Sequence, residues 1–116
     1  MRNSPPESIK KTADFKTVYK LGKVASNRFF AVYAFPDGKN QMRLGLSIGK
    51  KVGKAVIRNK LRRWIKEYFR LNKHEISKLD VVTVVRLSAR ELATAGKYSD
   101  VSKYLSCLVE QARAEI

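Results

Sequence analysis

The sequence predicts an α+β sandwich in which three helices pack on one mainly antiparallel sheet, in the order helix, strand, strand, helix, strand, helix. Three observations favour this class: two strand-like segments flank a turn, a third segment is rich in valine, and three segments have apolar residues at helical spacing. A chain of 116 residues can bury one modest core. We therefore expect a single domain over residues 1–116.

The chain is expected to start with a short arm and a short helix. Residues 1–9 combine two prolines with polar residues, which is typical of a flexible or extended arm. Thr12 is expected to cap the first helix. Phe15, Val18 and Tyr19 have the i, i+3, i+4 spacing of one helical stripe, so two aromatic rings are expected on the same side.

Residues 28–35 and 42–48 are expected to form a β-hairpin, because a Pro-Asp-Gly turn sequence lies between two strand-like segments. By alternation, one face of the first strand would contain Phe29, Ala31, Tyr33 and Phe35. One face of the second strand would contain Arg43, Gly45 and Ser47. These small and polar residues are expected to leave room for a ligand on that face.

A strongly basic helix is predicted over residues 54–71. Its apolar stripe would consist of Ile57, Leu61, Trp64, Ile65 and Tyr68. Its opposite side would consist of Arg58, Asn59, Arg62, Arg63, Lys66 and Arg70. Such a face is suited to binding an anion. Residues 80–86 then predict a buried strand, and a last helix is expected to start near Ser99 or Asp100.

The net charge of +15 indicates a polyanionic partner, either nucleic acid or anionic lipid. Residues 1–78 contain 20 basic and 5 acidic residues, whereas residues 79–116 contain 5 of each. The stretch from Gly38 to Lys66 contains ten basic residues and no acid. A dedicated anion-binding surface is therefore predicted in the first two-thirds of the chain.

Residue types restrict the chemistry of the chain. Cys107 and His74 are the single cysteine and histidine, which excludes a disulfide, a multi-cysteine zinc site and a catalytic triad except through His74. The aspartates are scattered and lack metal-site spacing, so neither catalytic nor metal-binding residues are predicted. No apolar run is long enough to span a membrane. We expect a cytoplasmic protein without a membrane partner.

Residues 50–63, KKVGKAVIRNKLRR, resemble the signature of the bacterial ribonuclease P protein family, whose centre is an Arg-Asn-Arg triplet on a basic helix. Lys60 stands at the third position of that triplet, which keeps the charge but lacks the planar guanidinium fork. Asp14-Phe15, Asn27-Arg28 and residues 43–47, RLGLS, are also similar to the family. The resemblance covers roughly residues 10–86.

The resemblance implies a subunit of a ribonucleoprotein endonuclease that removes the 5′ leader from precursor tRNA, with catalysis in the RNA. The implied partners are the catalytic RNA subunit and precursor tRNA, without an obligate protein partner. No cofactor is expected on the protein alone, whereas the holoenzyme would need Mg²⁺. The implied fold is like domain 2 of ribosomal protein S5, with a left-handed βαβ crossover, although right-handed crossovers are the general rule.

The resemblance also implies two groups of site residues. The group expected to bind the RNA subunit is Lys50, Lys51, Lys54, Arg58, Asn59, Lys60, Arg62, Arg63 and Lys66. The group expected to line a cleft for the single-stranded leader is Phe15, Tyr19, Ala31, Tyr33 and Arg43. Periodicity alone favours a core role for Phe15 and Tyr19 and leaves Tyr33 open between core and cleft.

Two other classes of function stay open from the residues. A ribosomal or other structural RNA-binding protein without a role in cleavage would have the same charge pattern. A protein-only nuclease or a DNA-binding module is the third class. RNA that copurifies with the protein would distinguish these classes.

Overall fold

The structure, a computed structural model, describes residues 6–36, 41–76 and 78–116. Its strands are β1 (Glu7–Ser8), β2 (Lys23–Ser26), β3 (Phe30–Pro36), β4 (Arg43–Ile48) and β5 (Leu79–Val85). Its helices are α1 (Thr12–Leu21), α2 (Ala55–Asn72), α3 (Arg90–Ala95) and α4 (Tyr98–Ala114). Short 3₁₀ turns cover Lys50–Val52 and Leu87–Ala89. The predicted α+β class is confirmed, with four helices in the described chain where three were predicted.

The five strands form one mixed sheet in the order β1-β4-β5-β3-β2. Strand β4 is parallel to β1 and β5, whereas β3 is antiparallel to β2 and β5. The predicted hairpin is wrong, because β5 lies between β3 and β4. Strand β5 is buried along nearly its whole length, which suits a central position in the sheet. Helix α2 connects the parallel strands β4 and β5, and the left hand of this crossover stays a prediction.

The main core lies between the sheet and helices α2, α3 and α4. Phe30, Val32 and Ala34 of β3 point into it. Phe29 belongs to the same core and contacts Tyr104 of α4, with ring centroids 4.9 Å apart. The prediction that Phe29 shares a face with Ala31 and Tyr33 is therefore wrong. The regular alternation begins only at Phe30, since the backbone N–H groups of residues 29 and 30 donate to the side chain of Asn27 in a local turn.

Helix α2 forms where its periodicity predicts it. Leu61, Ile65 and Phe69 are fully buried against the sheet and α4. Tyr68 is also buried, and Trp64 packs against the same core while partly exposed. A stripe of this width stabilises a helix whose other side is almost entirely charged, because tertiary packing outweighs repulsion among solvated cations.

The ends of the chain agree with their predictions in part. Glu7–Ser8 pairs with Arg43 and Leu44, and Ile9 is buried, so residues 7–9 take the extended form of the predicted arm and pack against the sheet. Residues 1–5 and 37–40, which include the predicted turn, lie outside the described residues. Thr12 is the first residue of α1 instead of its cap, and the capping position is Lys11, without a side-chain hydrogen bond. Helix α4 starts at residue 98, close to the predicted position.

Thr83, in the middle of β5, is expected to reduce stability. Its side chain is fully buried on the main-core face, and its Oγ1 has no hydrogen-bond partner among the described residues. Burying an unpaired hydroxyl is costly, so Thr83→Val should raise the free energy of unfolding by about 1–2 kcal/mol in urea denaturation. Thr83→Ser, which keeps the hydroxyl and removes a methyl group, should lower it. A less stable valine variant would mean that the hydroxyl is satisfied by water.

Candidate RNA interface

The nine residues predicted to bind an RNA subunit belong to one segment, the 3₁₀ turn at Lys50–Val52 and the first part of α2, and we call them the basic surface. They are Lys50, Lys51, Lys54, Arg58, Asn59, Lys60, Arg62, Arg63 and Lys66. The first two belong to the 3₁₀ turn before α2, Lys54 caps the helix, and the others follow on α2. Because the buried stripe of α2 faces the sheet, most of these side chains point to solvent.

Several side chains of the basic surface are held by neighbours. The Nε of Arg58 donates to the carbonyl oxygen of Gly53 at 3.0 Å, which fixes the turn before α2. Arg62 donates to the side-chain oxygen of Asn59. The ammonium group of Lys60 lies 5.0 Å from the ring centroid of Trp64, a cation–π distance. These contacts orient the cations without neutralising them, since none of the partners is an acid.

The basic surface ends at the second half of α2. Glu67 pairs with Arg70 at 2.7 Å, and the hydrogen bond from Arg70 lowers the pKa of the Glu67 carboxyl. Arg63 and Lys66 lie on the preceding turn and are exposed, and neither forms an ion pair within residues 6–36, 41–76 and 78–116. The free positive charge is therefore concentrated on the first three turns of the helix.

Three aromatic rings form a cluster on the opposite face of the sheet, and we call Phe15, Tyr19 and Tyr33 the ring ledge. The centroids of Phe15 and Tyr19 are 6.3 Å apart, and the ring of Tyr19 meets that of Tyr33 edge-on at 4.9 Å. The structure thus brings together all three predicted aromatic residues. Tyr19 is 39% exposed, so this ring has a surface open to solvent, whereas Phe15 and Tyr33 are partly buried.

A row of small side chains runs across the sheet beside the ring ledge. Strand register places Ser47, Val84, Ala31 and Ser26 next to one another on this face. Ala31, which was predicted to line the cleft, is part of its floor and is 9% exposed. We call this row, in which Ser26 is exposed and Ser47 and Val84 are partly exposed, the trough.

Gly45 does not provide room for a ligand, contrary to the prediction for this face. A Cβ atom at this position would lie 2.7 and 2.9 Å from two ring atoms of Phe15, closer than real contacts allow. The space left by the missing side chain is therefore filled by the Phe15 ring. The trough is the next row of residues along the sheet, where Ser47 and Val84 are partly exposed.

Arg43 is engaged in an ion-pair network. Its Nε and Nη2 donate to the two carboxylate oxygens of Asp80, at 2.9 and 2.5 Å, and its Nη1 donates to Asp14 at 3.3 Å. The hydrogen bonds with Asp80 raise the pKa of Arg43 further above its usual value. The Arg43 side chain is only 13% exposed, and two carboxylates neutralise its charge. The predicted role of Arg43 in the leader cleft stays a prediction. Its ion pairs favour a structural role, in which Arg43 joins α1 to the sheet.

A second basic region, which was not predicted from the sequence, lies at the top of the sheet. Arg28 and Arg86 line an open groove of about 1120 Å³ together with Lys50 and Lys51. Arg28 precedes β3 and Arg86 follows β5, so residues distant in sequence meet where those strands begin and end. Arg28 also pairs with Glu91 at 2.7 Å, and both side chains are largely exposed. Single charges at strand ends gave no periodic signal that could have identified them.

Few side chains in the described regions could bind a metal ion or act as a nucleophile. No group of three or more His, Cys, Asp or Glu residues there is arranged to hold a metal ion. Cys107 is exposed on α4, where its sulfur accepts a hydrogen bond from Gln111. No helix in the described parts of the chain is long and apolar enough to cross a membrane.

Comparisons with known proteins identify the family. The family model described as Ribonuclease P matches residues 4–111. The chain belongs to the ribonuclease P protein family. The ribonuclease P protein component of Clostridioides difficile is 37% identical over 112 residues, which cover 95% of each chain. The corresponding protein of Clostridium kluyveri is 39% identical over 104 residues, covering 90% of this chain and 92% of the relative.

Solved structures agree with this membership of the ribonuclease P protein family. The RNase P protein of Staphylococcus aureus matches with a TM-score of 0.81 and 35% identity, covering 90% of this chain and 94% of that one. The RNase P protein of Thermotoga maritima matches with a TM-score of 0.77 and 32% identity, covering 88% and 94%. The fold of the family therefore extends over nearly the whole chain, including the segments that carry the basic surface and the ring ledge.

Proposed function

We propose that this chain is the protein subunit of a ribonuclease P holoenzyme that removes the 5′ leader from precursor tRNA. In this proposal the basic surface binds the catalytic RNA, and the trough beside the ring ledge holds the unpaired leader. The hydrolysis takes place in the RNA, which uses Mg²⁺ that the protein does not itself bind. The observation that carries the proposal is an exposed aromatic ledge on the opposite sheet face from a basic helix, in a member of this family.

The geometry of the ring ledge supports binding of unpaired nucleotides. Bases stack on aromatic rings without regard to sequence, as a leader of variable sequence requires. The ring of Tyr19 is 39% exposed, and the row of Ser47, Val84 and Ala31 lies next to the row that contains Tyr33, so a base stacked on Tyr19 would have small side chains beside it. At the top of the sheet, Arg28 and Arg86 add positive charge for the phosphates of the same strand.

The charge distribution supports a separate contact with folded RNA. The basic surface lies on α2, on the other side of the sheet from α1 and its rings. Cations on a rigid helix neutralise phosphates and release counterions, which supplies affinity that does not depend on sequence. The two surfaces meet at one edge of the sheet, where Phe15, Arg62 and Lys66 line a pocket of about 260 Å³. This arrangement would allow the protein to bind the catalytic RNA and the leader next to each other.

Reconstitution tests the proposal. The protein is combined with a bacterial ribonuclease P RNA and labelled precursor tRNA at low magnesium, and release of the 5′ leader is followed with time. We expect the protein to accelerate cleavage strongly over RNA alone, because its cations reduce the magnesium needed for assembly. Nuclease-treated protein without the RNA should release no leader.

Each outcome separates the proposal from its alternatives. Tight binding to the RNA without faster cleavage would indicate a structural RNA-binding protein instead. Cleavage by the protein alone would place the active centre in the chain and overturn the proposal. Mature tRNA, which lacks the leader, serves as the control ligand in the binding measurements.

A further inference from the structure

Three alternate residues of β4 each contact a different residue of α1. Arg43 pairs with Asp14, the backbone at Gly45 supports the Phe15 ring, and Ser47 lies within hydrogen-bonding reach of the Tyr19 hydroxyl. Residues i, i+2 and i+4 of a strand share one face at a spacing of about 6.8 Å per step. The contacts therefore follow the axis of α1 as it crosses the strand.

The contact at Gly45 determines how deep the Phe15 ring sits. A Cβ at this position would also lie 3.1 Å from the Cγ2 of Val82, so neighbouring atoms leave little space for it. Any side chain at position 45 would push the ring away from the sheet. Because Phe15 and Tyr19 lie on adjacent turns of one helix, such a displacement would alter the whole ledge.

The contact at Arg43 fixes the start of α1 above the sheet. The guanidinium donates two hydrogen bonds to the carboxylate of Asp80, a residue that is only 3% exposed. It then extends its remaining nitrogen to Asp14. Because the planar guanidinium of Arg43 is held by Asp80, it has little rotational freedom. It can therefore fix the position of the Asp14 carboxylate on its other side.

The contact at Ser47 fixes the exposed ring. Burial raises the pKa of the Tyr19 hydroxyl above its usual value, and the hydrogen bond with Ser47 opposes that change. The Tyr19 ring meets that of Tyr33 edge-on at 4.9 Å, and a contact of its hydroxyl with Ser47 would help to hold it in this orientation. The orientation of the surface available for stacking thus depends on a strand residue outside the ring ledge.

We propose that Arg43, Gly45 and Ser47 are positioning residues that set the height and orientation of the ring ledge. The inference rests on the proposed function, since it concerns how the ledge is presented to the unpaired leader. None of the three residues needs to touch RNA. The face that would otherwise be open is used to hold α1 at one fixed distance from the sheet.

Gly45→Ala tests the proposal in reconstituted holoenzyme. We expect affinity for precursor tRNA to fall about five- to thirtyfold, as for the loss of one stacked base, while affinity for mature tRNA stays unchanged. Ser99→Ala is the control, because Ser99 is an exposed residue of α4 outside the basic surface, the ring ledge and the groove at Arg28 and Arg86. This control should leave both affinities unchanged.

A double-mutant cycle gives a readout that a purely structural role would not change. Phe15→Leu alone should weaken precursor binding, but in the Gly45→Ala background it should cost little more, because the ring is already displaced. Additive losses would mean that Gly45 does not act through Phe15. Equal weakening of precursor and mature tRNA by Gly45→Ala, together with a large drop in melting temperature, would also overturn the inference.

The same data distinguish failure of the inference from failure of the proposed function. If wild-type holoenzyme binds precursor and mature tRNA equally well, the leader role itself is wrong. If wild type discriminates between them and Gly45→Ala discriminates equally well, only the positioning role is wrong. Ser47→Ala provides a second test, with a smaller expected loss of discrimination because the variant loosens the orientation of the Tyr19 ring but keeps the ring itself.

Discussion

Tyr19→Ala is expected to weaken the binding of precursor tRNA by about five- to a hundredfold while leaving mature tRNA unaffected, since each base stacked on an aromatic ring contributes about 1–3 kcal/mol. Tyr19 is the most informative ring to truncate, because it is 39% exposed and contributes least to the core. The measurement is the dissociation constant of both tRNAs with reconstituted holoenzyme, alongside the melting temperature of the variant protein.

Tyr19→Phe is the control for this experiment. It keeps the ring and removes the hydroxyl that bonds to Ser47, so most of the leader affinity should remain. Phe15→Ala is expected to weaken leader binding as well, but also to lower stability, because the ring fills the space above Gly45. If Tyr19→Ala weakened both tRNAs equally with a lower melting temperature, the ring would belong to the core and not to a leader site.

Removing two charges from α2 is expected to have the largest effect on assembly. Arg63→Ala combined with Lys66→Ala should lower the affinity for the catalytic RNA about fiftyfold at 0.1 M salt, if each side chain neutralises one phosphate. The slope of log affinity against log salt should become less steep by roughly 1.5–2 units. Binding measured across a salt series gives both quantities.

The control removes the same net charge elsewhere. Lys103→Ala combined with Arg113→Ala changes two exposed basic residues of α4 and should leave the salt slope as it is. Arg58 is a poorer choice for this test, because its bond to the Gly53 carbonyl makes any loss of affinity partly a loss of structure. An unchanged slope for the α2 pair would show that these two side chains do not contact phosphates.

Local sequence signals predicted the elements that have strong periodicity. The bounds of α2 were predicted to within one residue, since five apolar residues at helical spacing and a charged opposite face leave few alternatives. The clustering of basic residues followed from the same periodicity. Strand β5 was recognised from its valines, and its buried position agrees with that composition.

Pairing between distant segments could not be predicted in this way. A turn sequence between two strands favours a hairpin locally, but the burial of β5 between them decides the topology. The ion pair of Arg43 with Asp80 joins residues 37 positions apart, so this contact could not be predicted from local sequence. Very short elements such as β1 and α3 have too few residues for a periodic signal.

The position of β5 in the sheet affects how the chain folds during synthesis. Strands β3 and β4 have no central partner until residues 79–85 have left the ribosome, although both are made well before. Contacts between strands so far apart in sequence slow folding, because a long loop must close before they form. Residues 1–78, which are synthesised before β5, also contain the whole excess of positive charge. Exposed cations and unpaired strand edges are thus present together in the incomplete chain, which makes premature capture by the surrounding ribosomal RNA a hazard specific to this topology.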